Sequence, residues 1–293
     1  MGYRHIENLY KNQKIMTLCK QCYATEKIHG TSAHICYKTD RNLGFFSGGS
    51  EHNAFVALFD QQQLKARLGT LGLDPSKSVY IYGEAYGGKL QGMSGTYGKD
   101  LKFIVFEVKI GDKWLSVPDA DDVAQKLGLE YVAYSLIDTS LTSINAERDA
   151  PSVQAMRNGM GDGWPREGIV LRPLKELTLN NDERLVAKHK NAQFCETKTI
   201  HEVSPEKIKA IEDARAIAEE WVTSERLNHI LTSGILEAKI ENTGKVIAIM
   251  IEDVLREAKG EIIDSPQARK EIARCTALAF KRGLQENLQN ENS

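Results

Sequence analysis

A chain of 293 residues, 41% hydrophobic and 27% charged, has room for two domains with separate cores and is too ordinary in composition for a disordered or fibrous protein. Its net charge of −2 excludes a surface coated in positive charge, so any grip on nucleic acid must come from local clusters. No apolar run approaches the roughly 18 residues of a membrane span. The opening Met1-Gly2-Tyr3-Arg4-His5 has no apolar leader core, which points to a cytoplasmic protein.

Up to about residue 200, short apolar runs alternate with Gly, Asn and Asp, the pattern of a β-rich domain. Residues 53–68 predict a helix. Val79-Tyr80-Ile81-Tyr82 predicts a strand with Tyr80, Tyr82 and Glu84 on one face. Residues 103–110 and 114–117 predict a hairpin through Gly111-Asp112-Lys113, followed by a helix over 119–127 after Pro118. Two more strands, 169–172 and 185–190, flank a polar connection around Asn180-Asn181-Asp182.

Past residue 203 the period becomes helical. Ser204-Pro205-Glu206 joins an N-cap serine, a proline at the first helical position and an acid in the first turn. Ile208, Ile211, Ala214, Ala218, Trp221 and Val222 then form an apolar stripe. Further helices are expected at about 223–232, 244–259 (stopped by Gly260) and 266–288. The expected fold class is α+β, with an antiparallel-sheet domain over 1–200, an all-α domain over 204–293, and the boundary at 198–204.

Several segments carry chemistry. Cys19-Lys20-Gln21-Cys22 has zinc-ligand spacing, but no second pair completes a site, so reduced thiols are expected. Lys27, in Glu26-Lys27-Ile28-His29-Gly30, would be an ordinary surface lysine if it stood alone. A lysine amine becomes a nucleophile only when burial or cationic neighbours favour its neutral form. Gly83-Glu84 could be a solvated strand end, Phe106 a core residue and Glu167 a turn acid. Lys188 and Lys190 are harder to set aside. Two apart in a strand, they share a face, and like charges there need an anion across them.

In combination and in order, these segments resemble the nucleotidyltransferase motifs of ATP-dependent ligases, and more closely those of the bacteriophage T4 RNA ligase 2 family. The resemblance rests on Glu26-Lys27-Ile28-His29-Gly30, Tyr82-Gly83-Glu84, Phe103-Ile104-Val105-Phe106-Glu107, Glu167-Gly168-Ile169-Val170-Leu171-Arg172-Pro173 and Lys188-His189-Lys190-Asn191-Ala192-Gln193-Phe194-Cys195-Glu196. The last fixes five positions at once, and Trp221-Val222-Thr223-Ser224-Glu225-Arg226-Leu227 is similar to that family's helical appendage. Ser32 stands where the family usually has asparagine, Glu107 where aspartate is commoner, and Cys195 where a small polar residue is usual.

The resemblance implies an adenylyltransferase domain followed by an RNA-orienting helical domain. It implies that Lys27 attacks the α-phosphorus of ATP and carries AMP, with Mg²⁺ or Mn²⁺ as cofactor and Glu167 holding the metal. Glu26 and Ile28 would lie in the nucleotide pocket, Glu84 on the ribose, and Phe106 on the purine with Phe103 as the fallback. Lys188 and Lys190 would contact phosphates, and Arg41 would be a further phosphate contact. The implied activity is RNA strand joining at nicks in duplex or bridged RNA, by a monomer with no obligate protein partner. A DNA ligase or a capping guanylyltransferase would place an OB-fold after the lysine pair, where this chain turns helical. A noncatalytic RNA-binding protein would keep the scaffold without the reaction.

Overall fold

β-Branched and aromatic side chains, alternating with polar ones, build nine strands among the described residues up to Lys190. These are β1 (Gln21–Lys27), β2 (Thr31–Tyr37), β3 (Leu43–Ser47), β4 (Val79–Gly87), β5 (Leu101–Ile110), β6 (Lys113–Trp114), β7 (Tyr134–Asp138), β8 (Gly168–Pro173) and β9 (Ala187–Lys190). The computed structural model describes residues 3–179, 183–195, 202–232 and 238–291. The expected connection at 180–182 and Glu196 therefore lie outside the described residues, as does part of the expected boundary.

The strands form two antiparallel sheets, ordered β7-β1-β8-β9 and β3-β2-β4-β5-β6. The chain leaves the first sheet at Lys27 and enters the second at Thr31, so Ile28-His29-Gly30 is the hinge between them. Only glycine fits at position 30, because a Cβ there would lie 2.3 Å from the Ala85 carbonyl oxygen. Ile35, Ile81, Val105 and Val108 are buried on one face of the larger sheet, beneath Val117, Ala120, Ala124 and Leu127 of the helix Val117–Leu127.

Two sequence expectations are corrected here. The helix expected over 53–68 is two helices, His52–Val56 and Gln61–Thr70, because the Asp60 carboxylate caps a new start by accepting from Gln63 N–H. The break lets Phe55 and Phe59 both pack against Phe103. The strand expected over 114–117 stops at Trp114, since Ser116 caps the helix that begins at Val117. The sequence reading assigned nothing to β7 or to the short helices Leu141–Arg148 and Val153–Arg157, each of which is capped by a serine, Ser140 and Ser152.

The chain divides into two compact units, Met1–Val203 and Ser204–Ser293. The second is helical, with helices Pro205–Trp221, Ser224–Thr232, Thr243–Glu257 and Pro266–Glu291. Ser204 accepts from Lys207 N–H at its start, as the cap signal predicts. Its core gathers Ala218, Leu227, Ile230, Val246, Met250, Val254, Ile272 and Phe280. No helix among the described residues is long and apolar enough to cross a membrane.

Candidate functional site

Strand pairing brings together residues that lie 140 or more apart in the chain. Gly168, at the start of β8, lies directly opposite Lys27 of β1 on one side and Lys190 of β9 on the other. A Cβ at Gly168 would meet the His189 carbonyl oxygen at 2.2 Å, and its φ of +150° is one that side chains rarely adopt. Glycine therefore lets β8 pass between the two lysine-bearing strands and sets the preceding residue, Glu167, between them.

Glu167 is the hub of a charge cluster. Its Oε2 accepts from Lys27 Nζ at 2.7 Å and lies 3.2 Å from His29 Nδ1, while Oε1 is 3.1 Å from Lys190 Nζ. The carboxylate is 2% exposed and the two lysines 24% and 17%. Burial would push its carboxyl up, but His29, Lys27 and Lys190 outweigh that and hold it at about 2. The nearest charged partner of Lys27 is this carboxylate. The pair is an ammonium–carboxylate hydrogen bond, and a free amine at Lys27 requires breaking it.

Beside the cluster lies a cavity of about 220 Å³, lined by Lys27, Ile28, Ser32, Glu84, Phe106 and Lys188 among others. Lys188 and Lys190 share a face of β9, whereas His189 points the other way. There His189 meets Arg148 and Asn145, and burial followed by the Arg148 charge lowers it to about 4. Glu84 is half-buried, and its carboxyl is pushed up to about 7, mainly by burial and against the pull of Lys27. The Ser32 hydroxyl oxygen is buried at the cavity wall with no hydrogen-bond partner among the described residues.

A β-bulge decides which aromatic faces the cavity. The β4–β5 register runs Tyr82↔Glu107 and then Gly83↔Val105, leaving Phe106 as the extra residue. Phe106 thus lines the cavity, while Phe103 packs between Phe55 and Phe59. Gly83 makes this possible, since a Cβ there would lie 2.5 Å from the Phe103 ring and 2.2 Å from the Ile104 oxygen.

Two further residues singled out in the sequence differ in their placement. Glu26 lines the cavity, but its carboxylate accepts from Ser152 Oγ (2.6 Å) and the Val153 and Gln154 N–H groups (3.0 and 3.3 Å), capping the helix Val153–Arg157. Arg41 does not line the cavity. It sits at a positive φ of 64° in the β2–β3 turn, 5.4 Å from the Tyr37 ring.

Behind Phe106 lies a buried ion network that the sequence reading missed. Glu107, 1% exposed, pairs with Arg172 at 2.8 Å and with Arg184, and accepts from the Tyr3 hydroxyl at 2.5 Å. Arg172 also donates to the Phe106 and Leu115 carbonyls, at 3.3 and 3.0 Å, which pins the bulge. The available signal was a charge inside an apolar strand: Arg172 after Ile169-Val170-Leu171 implies a buried partner. The N-terminal segment reaches the site because Glu7 and Leu9 hydrogen-bond to the Lys188 backbone, placing Tyr3, Arg4, His5 and Ile6 along the cavity.

An aromatic wall, a carboxylate near neutrality and two lysines flanking a third charged group suit a nucleotide with its phosphates. The comparisons agree with the fold. Two solved structures of Naegleria gruberi RNA ligase mutants, one with ATP and Mn and one with AMP and Mn, each match at a TM-score of 0.50 and 17% identity over 66% of this chain. The chain spans 57% of the length of that ligase. The family model described as RNA ligase matches residues 20–190, from just before β1 to the second lysine of β9, and so takes in every strand of the cavity. The chain belongs to the RNA ligase family.

Proposed function

We propose that this protein is an ATP-dependent RNA ligase of the T4 RNA ligase 2 type, joining a 3′-hydroxyl to a 5′-phosphate at nicks in duplex or bridged RNA. The observation that carries the reading is Glu167 bridging Lys27, Lys190 and His29 beside a cavity that also presents Phe106, Glu84 and Lys188. Lys27 Nζ attacks the α-phosphorus of ATP, forming a P–N bond as the P–O bond to pyrophosphate breaks. AMP then passes to the RNA 5′-phosphate, freeing the amine. The 3′-hydroxyl attacks that phosphorus, and AMP leaves.

The residues present fit these ligands. Phe106 offers a ring for the purine, and the orphan Ser32 hydroxyl gains a partner when a nucleotide fills the cavity. Glu84 takes the ribose hydroxyls, while Lys188 and Lys190 neutralise phosphate oxygens, the main requirement of phosphoryl transfer. Glu26 has its carboxylate committed to a helix cap, so it serves the pocket by bracing the strand that carries Lys27. Among the described residues no three metal-ligating side chains cluster. Glu167 would hold Mg²⁺ or Mn²⁺, and the ion would neutralise developing charge. An ion held there would share the Glu167 carboxylate with the Lys27 ammonium. The helical unit orients the RNA.

The test is strand joining on a nicked duplex with a labelled 5′-phosphate. ATP should support sealing and GTP should not, and an RNA strand should serve at the 3′-hydroxyl side. Transfer from GTP, or sealing only of all-DNA nicks, would contradict the reading in favour of capping or DNA ligation.

A further inference from the structure

One face of the five-stranded sheet is turned away from its core and carries rings. His34 of β2 lies directly opposite both Phe46 of β3 and Tyr82 of β4, with ring centroids 5.0 and 5.4 Å away. Tyr80 stacks on Tyr82 at 5.9 Å and 13°, and Trp114 lies 5.4 Å from Tyr82. Tyr3 continues the row, 5.3 Å from Tyr82 and 5.0 Å from Phe106 at the cavity. The rings thus run without a break from the nucleotide cavity to the β3 edge. Phe46, Tyr80, Tyr82 and Trp114 all keep partial exposure, whereas the opposite face buries Ile35, Ile81, Val105 and Val108.

A solvent-facing sheet surface ordinarily alternates to polar side chains, so a contiguous aromatic strip there calls for an occupant. The charges beside it indicate which kind. Lys109 Nζ lies 5.4 Å from the Trp114 ring and exposed Arg4 stands next to Tyr3, while the Arg184 guanidinium, 4.0 Å from the same ring, is already paired with Glu107. Rings interleaved with cations match unpaired nucleic acid, whose bases stack while the phosphates meet the charges. His34 adds a polar reader: it is 7% exposed, and its Nδ1 has no partner among the described residues. Three adjacent strands span about 10 Å, comparable to the sheets on which two or three bases stack in single-strand RNA modules.

We infer that this face is a stacking platform for unpaired RNA bases that flank the duplex carrying the nick. The inference rests on the RNA-joining reading for its substrate, but the surface lies outside the nucleotide cavity: Phe46, His34, Tyr80, Tyr82 and Trp114 do not line it. Substituting a platform ring should therefore weaken RNA binding and leave the reaction with ATP alone.

The experiment measures affinity for a short single-stranded RNA without ATP, by fluorescence anisotropy, alongside AMP transfer to the protein. Tyr80→Leu and Phe46→Leu together should weaken binding at least about 10-fold, on the scale of base–aromatic stacking. Tyr80→Phe with Phe46→Tyr should bind as wild type, and both proteins should accept AMP normally. Irradiating RNA that carries a photoreactive uridine should crosslink it to β2, β3, β4 or β6. Wild-type affinity in the leucine variant would overturn the platform, as would crosslinks confined to other elements. If the leucine variant adenylates poorly, Tyr82→Leu and the crosslink map decide the matter. Absence of AMP transfer in wild type would count against the proposed reaction, while the ATP-free binding measurement still tests the platform.

Discussion

At the scale of single residues, the site is a set of opposed ionisations. Glu167 is held ionised by the His29 hydrogen bond and the Lys27 and Lys190 ammoniums, while Glu84, in the same cavity, is pushed towards neutrality by burial. Glu84 therefore binds its proton more tightly folded, at about 7, than unfolded, near the ordinary value of about 4.3. That contribution to stability is complete below about pH 4 and is lost as pH rises through 7. In urea titrations across this window, wild type should lose stability relative to Glu84→Gln, and a parallel pair of curves would contradict the assignment. Glu167 has the opposite sign, with its contribution complete above about pH 4 and lost as pH falls towards 2. At pH 7, Glu167→Gln leaves Lys27 and Lys190 without their counter-charge and should destabilise by about 2–3 kcal/mol. The penalty should shrink in the same titration at pH 3.

At the scale of elements, glycines and a bulge do the positioning. Gly83→Ala drives a Cβ into both the Ile104 carbonyl and the Phe103 ring, neither of which can retreat cheaply. The expected cost is about 2–3 kcal/mol by chemical denaturation, with weaker nucleotide binding as Phe106 shifts; a neutral substitution would contradict this account of the bulge. The sequence carried the residue types of the site and their order, since motif spacing survives in one dimension. It did not carry their partners. That Lys27 and Lys190 meet across Gly168 follows from the registers of three strands. The choice between Phe103 and Phe106 was also hidden, because strict alternation fails where a strand bulges. The family resemblance implies Arg41 as a phosphate contact, yet its turn carries it to Tyr37. The helix over 53–68 was overread because Asp60 serves as a cap inside an otherwise helical pattern.

At the scale of the whole molecule, two units with their own cores invite separation of tasks. The helical part was the most legible, since Ser204-Pro205-Glu206 is a local signal and the apolar stripe needs no knowledge of distant pairing. Every residue named in the nucleotide chemistry lies before residue 191, so a protein ending at residue 203 should accept AMP yet join strands at least 10-fold more slowly. Loss of AMP transfer in the truncated protein would show that the helical unit belongs to the activation step. The most direct measurement is to incubate the protein with α-labelled ATP and magnesium, digest it, and locate the label by mass spectrometry. An acid-labile AMP on Lys27, absent from Lys27→Ala and from Lys27→Arg, whose guanidinium does not deprotonate, is the predicted result. No adduct on wild type, or one that persists when Lys27 is removed, would contradict it.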